Sequence, residues 1–127
     1  IAVHMSLGGD TPSSLSQMHI SPVDGVANEI NSNKTAWAYR DATWSMVIGG
    51  IDPDPANKDK LREWATKYWE ALHPYSTGAG YVNFMMEEGR DRVEATYGEK
   101  YKQLQKIKAR YDPDNFFHVN QNIQPDK

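Results

Sequence analysis

The chain has 127 residues, 39% of them apolar, and carries four Trp, seven Tyr and three Phe at a mean hydropathy of -0.76. That is enough for one core, since a chain of this size buries roughly two-thirds of its unfolded surface, and it excludes disorder throughout. Fourteen basic against seventeen acidic residues give a net charge of -3, which provides no positive field for nucleic acid or an anionic membrane.

The absence of cysteine excludes disulfides, thiolate catalysis and Cys-containing metal sites, and leaves the redox compartment open. Apolar stretches such as Met46 to Ile51 fall far short of the roughly 20 residues a membrane span needs, so a soluble chain is expected. The start, Ile1-Ala2-Val3-His4-Met5, carries neither an initiator Met nor a basic leader and reads as a sequence entered in the middle.

Ile1 to Leu7 alternates weakly and ends in Gly8-Gly9, which predicts a strand running into a turn. Asp10 to Lys34 is rich in Ser, Pro, Asn and Gly and reads as loop, with Leu15 to Ile20 dense enough for a strand. Thr35 to Tyr39 and Thr43 to Ile51 are aromatic and β-branched and predict two extended stretches of one sheet. Asp54-Pro55 marks a helix start, with Asp54 as N-cap and Pro55 where its missing donor costs nothing. Leu61, Trp64, Ala65, Tyr68, Trp69 and Leu72 then form one apolar stripe, and His73-Pro74 ends the helix.

Tyr81-Val82-Asn83-Phe84 reads as a short strand whose period of two sends Tyr81 and Asn83 to one face. Arg90 to Tyr97 predicts a short helix ended by Gly98. Glu99 to Tyr111 predicts a second amphipathic helix with Tyr101, Leu104, Ile107 and Tyr111 on one face. Asp112-Pro113-Asp114-Asn115 is turn chemistry, and Phe116 to Ile123 is a tail expected to be packed. Strands followed by helices, without βαβ alternation, indicate an α+β fold with an antiparallel sheet covered by helices.

Most chemistry-like patterns fail on inspection. Asp52, Asp54 and Glu63 match positions of a calcium loop, but Ala56, Asn57 and Pro55 break it, and a helix cap is the better reading. The four histidines have no metal-like spacing, Gly78-Ala79-Gly80 is too little for a dinucleotide loop, and Asn33-Lys34-Thr35 is a triplet common by chance. Two pieces remain: the phenol and amide of Tyr81 and Asn83, and the adjacent amides Asn120-Gln121-Asn122 bracketed by apolar residues. Amides in an apolar setting must find partners, which a heterocycle edge or the backbone would supply.

The run Tyr97-Gly98, Tyr101, Leu104, Ile107-Lys108, Tyr111-Asp112-Pro113, Asn115-Phe116-Phe117 and Asn120-Gln121-Asn122-Ile123 resembles the C-terminal signature of berberine-bridge-enzyme-like, FAD-linked oxidases. Tyr81-Val82-Asn83 looks like the Tyr-x-Asn motif of that group, and Ala36 to Ala42 is similar to its aromatic/His-Arg strand. The resemblance implies part of a flavoprotein substrate domain over residues 1–110, with a flavin-contacting tail over 111–127 that returns to an upstream FAD-binding domain.

It also implies hydride transfer from a small-molecule alcohol, sugar or amine to FAD, with oxygen as acceptor. Tyr81 matches the tyrosine that acts as, or assists, the base; Asn83, Asn120 and Gln121 match positions near the flavin ring. A phenol is ordinarily a poor base at neutral pH, so the role requires its anion to be stabilised by the flavin site or by a neighbouring cation; Arg40 is the candidate cation, with a structural ion pair to Asp41 or Glu as the alternative reading. Tyr39 stands where many members have His, and Val47 where some place a carboxylate. The isolated chain is expected not to hold FAD. The rival reading is a free-standing binding module that kept the fold and lost the chemistry.

Overall fold

The computed structural model describes residues 1–126, so Lys127, the last residue of the expected tail, lies outside the described residues. The chain divides into two compact units, one built from Ile1–Val23 with Thr43–Ser76, the other from Asp24–Ala42 with the chain from Thr77 onward.

The first unit holds α1 (Ala2–Leu7), β1 (Gln17–Pro22), β2 (Trp44–Gly49) and α3 (Lys58–Leu72). Strands β1 and β2 pair antiparallel, with Met18 opposite Ile48 and Ile20 opposite Met46. A two-stranded ribbon is marginal by itself, and α3 supplies the missing layer. Its Trp64, Tyr68 and Leu72 are buried and pack with Val3, Leu7, Met18, Ile48 and Ala65. Each large side chain so buried contributes on the order of 1.5–3 kcal/mol.

The start of α3 follows the expected chemistry. The Asp54 carboxylate accepts from the Ala56 amide at 2.9 Å over a 3₁₀ turn, Pro55–Asn57, with Pro55 at its first position. The helix ends at Leu72, before a second 3₁₀ turn at His73–Tyr75. Helix and sheet also meet at Gly50, where an added Cβ would lie 2.9 Å from the Leu61 carbonyl oxygen.

Ile1 to Leu7 is a helix where alternation predicts a strand. Six residues cannot sustain a helix alone; tertiary contact decides the form. Val3 and Leu7, four apart, reach the α3 core, His4 Nδ1 meets the Tyr68 hydroxyl at 2.9 Å, and Trp64 Nε1 donates to the Leu7 carbonyl at 3.0 Å. Tyr68 is fully buried, and burial pushes its phenol above the ordinary range.

The second unit holds α2 (Val26–Glu29), α4 (Arg90–Tyr97) and α5 (Tyr101–Tyr111). Thr35 to Tyr39 forms no strand. Its β-forming residues have no neighbouring strand to pack against, and strand preference is largely packing of that kind. Side chains tie the segment down instead: the Tyr39 hydroxyl donates to the Ala95 carbonyl at 2.6 Å, and the Arg40 guanidinium lies 4.6 Å from the Trp37 ring centroid.

Helix α4 stops where expected, at Gly98, whose φ of 52° and ψ of -133° suit glycine alone. We expect Gly98→Ala to cost about 1–3 kcal/mol, read as a lowered unfolding midpoint; an unchanged midpoint would show that the turn relaxes freely. Helix α5 buries Tyr101 but leaves Ile107 and Tyr111 exposed, so the apolar face read from the sequence is only half covered.

Candidate functional site

The site lies in the second unit and is assembled from a turn and a tail. Tyr81 to Phe84 is a 3₁₀ turn at Val82–Phe84, not the expected strand. With no strand beside it, the segment satisfies its own backbone, the Phe84 amide donating to the Tyr81 carbonyl at 2.9 Å. The turn still brings the two expected side chains together: Asn83 Nδ2 donates to the Tyr81 hydroxyl at 2.8 Å. The Tyr81 and Phe84 rings tilt against each other with centroids 5.4 Å apart, and both are exposed.

Helix α4 anchors this turn. The buried Thr96 hydroxyl donates to the Arg92 carbonyl at 2.8 Å, accepts from the Gly80 amide at 3.2 Å and touches Met85 Sδ at 3.2 Å. Arg92 Nη1 donates to the Gly78 carbonyl at 2.7 Å.

The tail forms the other wall. Gln121 Nε2 donates to the carbonyls of Met85 and Met86, at 2.8 and 3.0 Å. Asn120 adopts a left-handed φ of 57°, a conformation asparagine tolerates better than most residues. Between tail and turn runs a cleft of about 470 Å³ lined by Val82, Asn83, Met85, Val119, Asn120 and Gln121. Three of the four residues that the resemblance names for the site therefore share one cleft, Tyr81 joins it through Asn83, and Asn122 does not line it.

Arg40 does not join this group. Its guanidinium donates to the Ala27 carbonyl at 2.7 Å and to the Thr35 hydroxyl, so it meets neither Tyr81 nor the Asp41 carboxylate. The expected packing of the tail holds for Gln121 to Ile123, whereas Phe116, Phe117 and Val119 stay about three-quarters exposed. Among the described residues no group of His, Asp and Glu could hold a metal ion, and Asp52 spends its carboxylate on the Asp54 amide at 2.8 Å. No helix among the described residues is long and apolar enough to cross a membrane.

One group that matters was read only as turn chemistry. The Asp112 carboxylate accepts from Lys108 Nζ and from the amides of Phe116 and Phe117. The Lys108 ammonium, then those two amides, hold its carboxyl below the ordinary range, against the opposing effect of desolvation. The signal was present in the spacing, since Lys108 and Asp112 are four apart at the end of α5.

A depressed carboxyl stabilises the fold above the ordinary aspartate value, about 3.9, and that contribution disappears as pH falls through the lower folded value. We expect the acid limb of the unfolding midpoint below about pH 4 to be shallower in Asp112→Asn than in the parent. Superimposable acid limbs would contradict this.

Residues 80–124 match the family model described as "Berberine and berberine like", and Tyr81, Asn83, Asn120 and Gln121 all fall inside that span. The chain is 29% identical, over 79% of its length, to an FAD-linked oxidoreductase of Dictyostelium discoideum, of which it covers 22%. It is 30% identical, over 78% of its length, to a carbohydrate oxidase of Microdochium nivale, of which it covers 21%. A solved structure of a variant of Physcomitrella patens BBE-like 1 superposes with a TM-score of 0.85 at 22% identity, covering 99% of this chain and 27% of that one. That likeness shows a common α+β fold. The chain spans about a fifth of the length of the curated relatives it matches. The matched domain, the FAD-linked relatives and the common fold together support reading the chain as a fragment of a berberine-bridge-enzyme-like FAD-linked oxidase.

Proposed function

We propose that this chain is the C-terminal part of an FAD-dependent oxidoreductase that oxidises an alcohol, sugar or amine, passing hydride to the flavin and then electrons to oxygen. Residues 1–110 belong to its substrate-binding domain, and residues 111–127 form a tail that returns to an FAD-binding domain in the rest of the polypeptide. A sugar substrate has the support of the Microdochium nivale relative, named as a carbohydrate oxidase.

The observation that carries this reading is the amide-lined cleft. Gln121 spends both side-chain N–H groups on protein acceptors and Asn83 one of its two, which leaves their carbonyl oxygens and one Asn83 N–H, and the Asn120 side-chain amide has no hydrogen-bond partner among the described residues. Mixed amide donors and acceptors beside Val82, Met85 and Val119 suit the edge of a flavin ring, which alternates the same groups. Among the described residues no cationic side chain lines the cleft, so the donor set found there does not suit a pyrophosphate. FAD, when bound, supplies the hydride acceptor.

Tyr81 takes the proton of the substrate hydroxyl or amine. An amide N–H on the phenol oxygen is the arrangement that holds a phenolate, because such a bond strengthens when its acceptor becomes charged. Asn83 provides it at 2.8 Å. Asn120 and Gln121 would hold the flavin ring through their side-chain amides.

The test is reconstitution. The complete polypeptide is expected to purify yellow with stoichiometric FAD, whereas the isolated 127-residue chain keeps no flavin through gel filtration. A complete polypeptide that takes up no flavin would favour a binding module without chemistry, and an isolated chain that holds FAD would overturn the division of labour.

A further inference from the structure

Among the described residues, the Lys108–Asp112 pair differs from the two other ion pairs. Arg90–Glu94 and Arg92–Glu88 have one or both side chains well exposed, and exposed pairs contribute little. The side chains of Lys108 and Asp112 are 15% and 12% exposed. Asp112 collects three donors, Lys108 Nζ at 2.5 Å, the Phe116 amide at 2.7 Å and the Phe117 amide at 3.0 Å. Lys108 Nζ also donates to the Phe117 carbonyl, so the two side chains close a ring around the backbone of residue 117. The ring sits where the chain reverses out of α5, with Asn115 at a φ of 52°.

The other contacts on this course are local ones: His118 Nδ1 lies 3.0 and 2.9 Å from the carbonyls of Asn115 and Phe116, and the Asn115 amide donates to the Asp112 carbonyl at 3.1 Å. Phe116, Phe117 and Val119 are about three-quarters exposed, so burial contributes little to ordering them. The chain next engages the protein at Gln121, through Met85 and Met86, and at Asp126, whose amide donates to the Gln105 carbonyl at 3.2 Å. The direction in which residues 116 and 117 leave the helix therefore decides whether the following amides reach the turn at 82–85.

We infer that Lys108 and Asp112 form a positioning clasp that sets Asn120 and Gln121 along the cleft opposite Val82 and Asn83. Neither residue lines the cleft; both act through the tail. The flavin consequence rests on the function proposed above, and the structural consequence does not.

The experiment is amide hydrogen exchange together with the visible flavin spectrum, on the FAD-loaded complete polypeptide and its variants. Asp112→Ala removes the carboxylate that accepts from Lys108, Phe116 and Phe117, and is expected to speed exchange across residues 116–122 by roughly tenfold or more, with α3 unaffected. Lys108→Met is expected to do the same, and Lys108→Arg, which retains a cationic donor, to restore most of the protection. The Lys108 pair of variants carries the test if Asp112→Ala does not fold. Faster exchange with a displaced flavin spectrum supports both the clasp and the flavin-facing role of the tail. Faster exchange with a parental spectrum supports the clasp and removes Asn120 and Gln121 from the flavin site. Parental exchange at 116–122 in Asp112→Ala or Lys108→Met overturns the inference.

Discussion

Tyr81→Phe in the complete flavoprotein is expected to slow flavin reduction by roughly 10²- to 10⁴-fold, the usual worth of a general base, while fold and flavin content stay intact. The substitution removes one oxygen from an exposed ring, so packing against Phe84 is retained and a loss of rate reports chemistry. Asn83→Ala, which removes the amide donor from the same oxygen, should lower the rate in the same direction but by less, because the phenol remains. The check is anaerobic stopped-flow reduction, which isolates the first half-reaction from oxygen chemistry. A Tyr81→Phe protein that reduces its flavin at the parental rate makes Tyr81 structural.

Trp64→Ala is expected to produce the largest loss of stability, about 3–5 kcal/mol, the usual cost of truncating a buried aromatic residue. Trp64 is buried at the centre of the α3 face, meets Tyr68 edge-on at 5.6 Å and donates to the Leu7 carbonyl at 3.0 Å. Truncation opens a cavity under the β1–β2 ribbon and releases α1 together. Because a native domain has only about 5–15 kcal/mol in reserve, the unfolding midpoint should fall steeply. Trp69→Ala, on the same helix but partly exposed, serves as the comparison and should cost markedly less. Equal losses at the two positions would show that the α3 core is not where the stability of this unit lies.

Long periodic segments were legible from the amino acids alone. Helix α3 with its Asp54 cap, and α4 with its Gly98 stop, lie where their patterns predict, because each carries enough local information in stripe and caps. Short segments divided: Leu15 to Ile20 and Thr43 to Ile51 do contribute strands β1 and β2, whereas three others were misread. Ile1 to Leu7, Thr35 to Tyr39 and Tyr81 to Phe84 all read as strands, yet each takes the form its neighbours impose: helix against α3, irregular chain fastened by Tyr39 and Arg40, and a 3₁₀ turn held by Thr96. Propensity in a segment of that length is a weak force beside a few tertiary contacts.

The same contrast applies to the candidate site. The amide residues Asn83, Asn120 and Gln121 were visible as unusual polar groups in apolar surroundings, and they line one cleft. The proximity of Asn83 to Tyr81 was expected from strand periodicity and arises from a turn. The convergence of Asp112 on Phe116 and Phe117 depends on a backbone reversal that residue types alone do not specify, so its carboxylate was read as a turn former and nothing more.

The central claim is that the amide-lined cleft faces the flavin ring, and Asn120→Ala in the FAD-loaded complete polypeptide tests it most directly. Asn120 lines the cleft and its side-chain amide has no hydrogen-bond partner among the described residues, so its removal breaks no hydrogen bond among them, and Asn120→Gly, which accepts the left-handed φ of 57° without strain, separates loss of the amide from relaxation of the backbone. The measurement is the visible absorption spectrum of the bound flavin together with its dissociation constant. The account predicts a displaced spectrum, a weakened affinity, or both; a spectrum and affinity identical to the parent would contradict it.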